Sequence, residues 1–189
     1  MSRIKALWTA SPRKVMVGLV GVLAATGIAV GSGANFNSTS ANPSNVFSAG
    51  TISQTNSKTG AAVLTASGLK PGGTASGTVD IKNTGSVSGA FTLTQANLTN
   101  TPASPALSAK LTVVITDLGD PASLCTTSCP VVYTGALGGM GSTSLGTFTA
   151  GVTHRYQFVV TFPDGGANGA DNSYQGASTS VDYDFTATA

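Results

Sequence analysis

From Thr74 onward, apolar residues occupy alternate positions in a series of short runs. Val79 and Ile81 alternate with Thr78, Asp80 and Lys82, and Phe91 and Leu93 alternate with Thr92 and Thr94. Leu111, Val113 and Ile115 alternate with Thr112, Val114 and Thr116. Tyr156, Phe158, Val160 and Phe162 share one parity, as do Val181, Tyr183 and Phe185. A strand turns successive side chains to opposite faces, so each run has one face for a core and one for water. Threonine fills the wet faces, where its branched Cβ suits a strand without adding charge. Turn chemistry separates the runs. Pro71-Gly72 in "KPGG" fits a type II turn, "NTGS" (83–86) fits a short connection, and "TNTPASPAL" (99–107) reads as irregular. No stretch beyond residue 34 carries an apolar repeat of about 3.6 over three turns.

The runs predict strands at 50–55, 61–66, 74–82, 88–96, 110–116, 131–134, 144–149, 154–162 and 178–187. Many short strands with Gly-rich turns predict an all-β fold: an antiparallel two-sheet sandwich, jelly-roll-like, preceded by an N-terminal signal helix. Phe91, Phe158, Phe162, Tyr183 and Phe185 are the expected core aromatics.

The N-terminus follows another logic. Arg3, Lys5, Arg13 and Lys14 precede an unbroken apolar run, Val15 to Val30, which exits through Ser32-Gly33-Ala34. A basic region, an apolar stretch and a small-x-small exit describe a secretory signal peptide. As a helix the run spans roughly 24 Å, short of a ~30 Å hydrocarbon core. The expected organisation is a signal peptide at 1–34, cut between Ala34 and Asn35, an extended N-terminal segment at 35–50 and a β-sandwich domain at 51–189. The expected destination is extracellular, at the cell surface, with the membrane touched only through the signal before cleavage and a signal peptidase as partner during export.

Beyond residue 34 the chain keeps five basic residues against seven Asp, with no Glu and a single His, for a net charge of −2. No basic patch remains for nucleic acid. Acid–base and metal chemistry are poorly supplied. There is no H-E-x-x-H, G-x-S-x-G or P-loop pattern, and no cofactor is implied. His154 opens a strand and is expected on its wet face. Asp182 and Asp184 share a strand face about 7 Å apart, an arrangement that keeps an edge wet more often than it moves protons. Cys125 and Cys129, with three residues between them, read as a disulfide closing a small loop in an exported chain. Asp164, Asn168 and Asp171 in "DGGANGADN" are weak calcium candidates, matching neither an EF-hand nor a Gly-rich repeat.

Three stretches resemble the TasA/camelysin family of secreted biofilm-matrix and spore-coat-associated proteins. "GANFNSTSANPSNVFSAGTISQTNS" (33–57) is similar to that family's N-terminus, with Asn45-Val46-Phe47-Ser48-Ala49-Gly50-Thr51-Ile52 in the place of its "N-x-F-x-A-G-T-[IL]" element. "GLKPGGTASGTVDIKNTGSVSGAFTL" (68–93) resembles its central strand pair, with Gly73 where an acidic residue is common. "NSYQGASTSVDYDFTATA" (172–189) resembles its closing strand. The resemblance implies a jelly roll whose signal is removed by a SipW-type peptidase. It also implies polymerisation into fibres, in which one subunit's N-terminal segment completes its neighbour's sheet. The camelysin branch carries a metallopeptidase label that one His and no Glu do not support.

The leading expectation is therefore a non-enzymatic structural protein of the cell surface or extracellular matrix, self-associating through Phe36, Val46 and Phe47. An extracellular metalloendopeptidase is the alternative. A third is an adhesin or ligand-binding module using the loops at 96–109, 117–130 and 164–174.

Overall fold

The structure, a computed structural model, describes residues 48–166 and 169–189. The signal peptide, its Ala34–Asn35 cleavage site, and Phe36, Val46 and Phe47 lie outside the described residues, as do Ala167 and Asn168. Eight strands follow in order: β1 (Gln54–Asn56), β2 (Thr74–Asn83), β3 (Gly89–Thr101), β4 (Thr112–Asp117), β5 (Val131–Ala136), β6 (Ser142–Phe148), β7 (Thr153–Thr161) and β8 (Ser178–Thr188). One turn of helix, α1 (Leu107–Lys110), leads into β4. All neighbours pair antiparallel, in a five-stranded sheet β1-β2-β7-β4-β5 and a three-stranded sheet β6-β3-β8. The molecule is an all-β two-sheet sandwich.

The alternation builds the core. Val79 and Ile81 of β2, Phe91 and Leu93 of β3, Val113 and Ile115 of β4, and Tyr156, Phe158 and Val160 of β7 all point inward and are buried. Burying such side chains contributes about 1.5–3 kcal/mol each. Phe162 and Phe185 are buried as expected, whereas Tyr183 is only half-buried at the core margin. Phe148, at the end of β6, is buried between Phe91 and His154, with ring centroids at 4.2 and 4.4 Å.

The turns follow their residues. Gly72 takes φ +78° and the Gly73 N–H donates to the Lys70 carbonyl at 2.8 Å, closing the turn at Pro71. Asn83 does more than end a strand. It is fully buried, its amide donating to the carbonyls of Val87 (2.9 Å) and Phe148 (3.0 Å) while its side-chain oxygen accepts from the Gly85 N–H (2.9 Å). One side chain thus ties the β2–β3 turn to the end of β6.

Three expectations change. β3 continues to Thr101 instead of stopping near residue 96. Asn97, at φ +50°, sits in a register shift after which Thr99–Thr101 re-pair with Ser178–Ser180. Residues of turn type can occupy a bulge within a strand. The strand expected at 50–55 is reduced to Gln54–Asn56. The strand expected at 61–66 is absent and that stretch is irregular. There Val63 and Leu64, adjacent in sequence, are both half-buried while the residues around them are exposed, which a flat alternating strand does not allow.

The pairing explains the shape of one flank. An eight-stranded jelly roll distributes its strands over two sheets of four. β2 pairs with β7, β3 with β6 and β4 with β5, a nested set in which β8 calls for a partner from the start of the chain. The first strand instead pairs with β2, at the edge of the other sheet. Among the described residues, β8 has no strand on its other side.

Candidate functional site

The outer side of β8 opens into a groove of about 1760 Å³. β8 from Ser178 to Thr186 forms one wall and the segment 54–71 the other, with Leu107, Leu111, Leu137, Val160 and Phe162 along the floor. In an antiparallel ladder the backbone groups of successive residues point alternately toward and away from a given neighbour. The Gln54 amide donates to the Phe185 carbonyl at 2.5 Å, which places Phe185 on the groove side. Tyr183 and Val181, two and four residues earlier, aim their N–H and C=O groups the same way. The Gln54 bond spans the two sheets and closes the groove at its Phe185 end.

Two buried polar atoms along this groove, Gln54 Oε1 and the Tyr183 hydroxyl, have no hydrogen-bond partner among the described residues. Burial, with Tyr133 nearby, pushes the Tyr183 phenol up to about 12. Its ring packs on Phe158 with centroids 4.8 Å apart. The apolar faces of Val181 and Tyr183 and the bare backbone between them form a surface shaped for an extended chain. Asp182 and Asp184 point to the opposite, exposed face of β8, as expected of an edge strand, and Asp182 accepts from the Asn97 amide at 2.8 Å.

The other candidates fall elsewhere. Cys125 and Cys129 are joined, S–S 2.05 Å, and staple the loop after β4. β7 holds that loop: Leu118 N–H donates to the Arg155 carbonyl (2.7 Å) and Arg155 N–H to the Gly119 carbonyl (2.8 Å). His154 is not on the wet face. It has the parity of Tyr156 and Phe158, so its ring stacks inward on Phe148, and its Nδ1 meets Asp117 Oδ2 at 2.8 Å. Burial first, and the Asp117 carboxylate second, push the neighbouring Tyr156 phenol far above its usual value. The His154–Asp117 pair therefore ties β7 to β4 beneath an aromatic stack, away from the groove lining.

Of the calcium candidates, Asn168 lies outside the described residues, and Asp164 and Asp171 are each engaged by other groups. Asp171 is engaged by Lys110 (2.8 Å) and the Gly165 N–H (2.8 Å), which hold its carboxyl below the usual range. Asp164 accepts from the Gly166 N–H at 2.9 Å. The Lys110 ammonium stands where a cation would be needed. Among the described residues no group of three His, Cys, Asp or Glu side chains is placed to hold a metal. The three loops do not form one surface either. The Lys110–Asp171 pair brings the segment before β4 against 164–174, whereas 117–130 starts at the opposite end of β4.

The nested strand order is what sequence reading missed: it shows β8 as an unpartnered edge, and only the pairing reveals it. One signal was legible. Gly77 interrupts the inward-facing series of β2 with a position that has no side chain. No protein-family model matches the chain, and no curated protein matches it.

Proposed function

We propose that this chain is a secreted structural protein of the cell surface or extracellular matrix that assembles on itself by strand addition. Residues 35–47 of one copy would run along β8 of the next. The observation that carries this reading is the edge of β8, unpaired among the described residues, beside a groove at the place where a jelly roll calls for one more strand. Main-chain hydrogen bonds to such an edge supply affinity, and pockets for alternate side chains supply specificity. The unpaired Tyr183 hydroxyl and Gln54 oxygen would gain partners from an incoming backbone. The segment 35–47 has few charges, with apolar Phe36, Val46 and Phe47, and its length, about 43 Å when extended, is enough to follow β8.

Donation between copies is favoured over folding back by how residues 51–53 are held. Thr51 N–H donates to Ser86 Oγ (3.0 Å), Ser86 N–H to the Thr51 carbonyl (2.8 Å) and Thr84 N–H to the Ser53 carbonyl (2.9 Å). The chain passes the Thr188 end of β8 here, since a Cβ on Gly89 would meet both the Ile52 side chain and the Thr188 carbonyl. It then enters β1. For residues 35–47 of the same chain to line β8, the backbone would have to turn back within residues 48–50, ahead of this bonded stretch. A head-to-tail contact that does not close generates filaments. The resemblance of 33–57, 68–93 and 172–189 to TasA/camelysin-type proteins supports the same reading.

Negative-stain microscopy of the purified protein tests it. Filaments are expected, and Val181→Pro should abolish them. That substitution removes an N–H on the groove side of β8 and leaves the ladder to β3 intact. Filaments that persist in Val181→Pro, or after deletion of residues 35–47, would exclude this mode of assembly.

A further inference from the structure

The groove beside β8 is not simply open, because residues 61–67 of its second wall rest on β2. Gly77 faces inward on β2, opposite Phe158 in the β2–β7 register. A Cβ at Gly77 would collide with the Val63 carbonyl oxygen and approach the Leu64 Cβ to 2.8 Å. The segment therefore rests directly on the backbone of β2. Packed sheets stand about 10 Å apart, and the space between them belongs to inward side chains. Val63 and Leu64 pack on the core there, against the backbone of β2 opposite Phe158. A strand added to β8 in the plane of its sheet must send its own inward side chains to the same place.

The segment is held weakly. Among the described residues, no backbone hydrogen bond is made by residues 62–69, and none joins this stretch to β8. Val63 and Leu64 are half-buried, and their neighbours Ala61, Ala62, Thr65 and Ala66 are exposed. Glycines with positive φ flank it, Gly60 at +73° inside the bonded turn from Lys58 to Ala61, and Gly68 at +63° two residues before the bonded turn that starts at Lys70. Few buried contacts and no backbone bonds characterise segments that open at low free-energy cost.

Resting on the strand-addition reading above, we propose that residues 61–67 are a removable placeholder. Val63 and Leu64 fill the seat of the missing strand's side chains in the free subunit, and an incoming strand expels them. The placeholder keeps apolar floor covered until a partner strand arrives, and it sets a threshold that only a strand offering apolar side chains of comparable size can cross.

The test uses the full chain carrying Leu64→Cys, whose thiol is free because Cys125 and Cys129 are bonded to each other, and a synthetic peptide of residues 35–47. Peptide binding is followed by fluorescence polarisation and thiol exposure by the rate of maleimide labelling. Saturating peptide is expected to accelerate labelling at least fivefold. Bound peptide with an unchanged or slower labelling rate would overturn the placeholder while leaving strand addition standing. No peptide binding at all would overturn both. A second variant adds Gly77→Ala to Leu64→Cys, setting a Cβ against the Val63 carbonyl oxygen so that the segment is pushed off β2 without any peptide. It should label faster than Leu64→Cys alone and bind peptide at least threefold more tightly. Unchanged labelling and unchanged binding would refute the proposal.

Discussion

On the flank that carries β6, Phe148 lies between Phe91 and His154, the His154 ring is pinned by Asp117, and the Phe148 carbonyl is held by Asn83. On the flank that carries β8, the core is covered by half-buried Val63, Leu64 and Tyr183, and one side-chain bond from Gln54 links the sheets. The first flank has interlocking rings and paired polar groups around Phe148, with the buried Tyr156 hydroxyl beside His154 unpartnered among the described residues. The second has loosely held apolar side chains and unpaired polar atoms. The same fold thus contains a region built to stay shut and a region whose weak closure leaves a strand edge available.

The sharpest way to break this comparison is to remove one anchor from each flank. Phe148→Ala should cost about 3–5 kcal/mol, read as a fall in the denaturation midpoint, because it empties a fully buried aromatic site. Leu64→Ala should cost about 1 kcal/mol or less, since its side chain is already half in water. Equal losses would mean that the two flanks are equally packed. Asn83→Ala comes next, at about 2–3 kcal/mol, since it leaves buried carbonyls at Val87 and Phe148 without their donor. Reducing the Cys125–Cys129 bond should cost about 2 kcal/mol by the chain-entropy argument for so short a loop. Because this loop is remote from the groove lining, reduction should leave filament formation unchanged, and its loss on reduction would place the assembly surface elsewhere.

The smallest effect is on pH. The Asp80 carboxylate accepts two bonds from Arg155, at 2.6 and 2.7 Å, which lower its affinity for protons, and Lys110 does the same for Asp171. Groups with depressed folded values contribute stability above about pH 4 and lose it as the pH falls through the folded value. A thermal-melting series should therefore be flat from neutrality to about pH 4 and decline gently below it. Both pairs are partly exposed, so the decline should weaken in high salt. A decline that begins well above pH 4 would separate the acid response from these two pairs.

Much of the scaffold was legible in the alternation. Val79 and Ile81, Phe91 and Leu93, and Val113 and Ile115 face inward because a strand has a period of two, whatever packs against it. The Cys125–Cys129 bond was legible from spacing. The wet-face expectation for His154 failed because its parity with Tyr156 and Phe158 turns it inward. The failure at 61–66 has another origin. "AAVLTA" has strand-like composition, but a strand exists only where an edge accepts its backbone bonds, and composition does not reveal whether one is free.

The order of residues alone determined the period, the turns at Pro71-Gly72 and 83–86, and hence a two-sheet antiparallel sandwich. These are local consequences of backbone sterics and of the separation of apolar from polar faces. Tertiary structure alone decided that the first strand joins β2, that β8 stands at an edge beside a groove, and that Val63 and Leu64 rest on Gly77. Strand partnership is a non-local choice among competing edges, set by which surfaces meet when the sheets close.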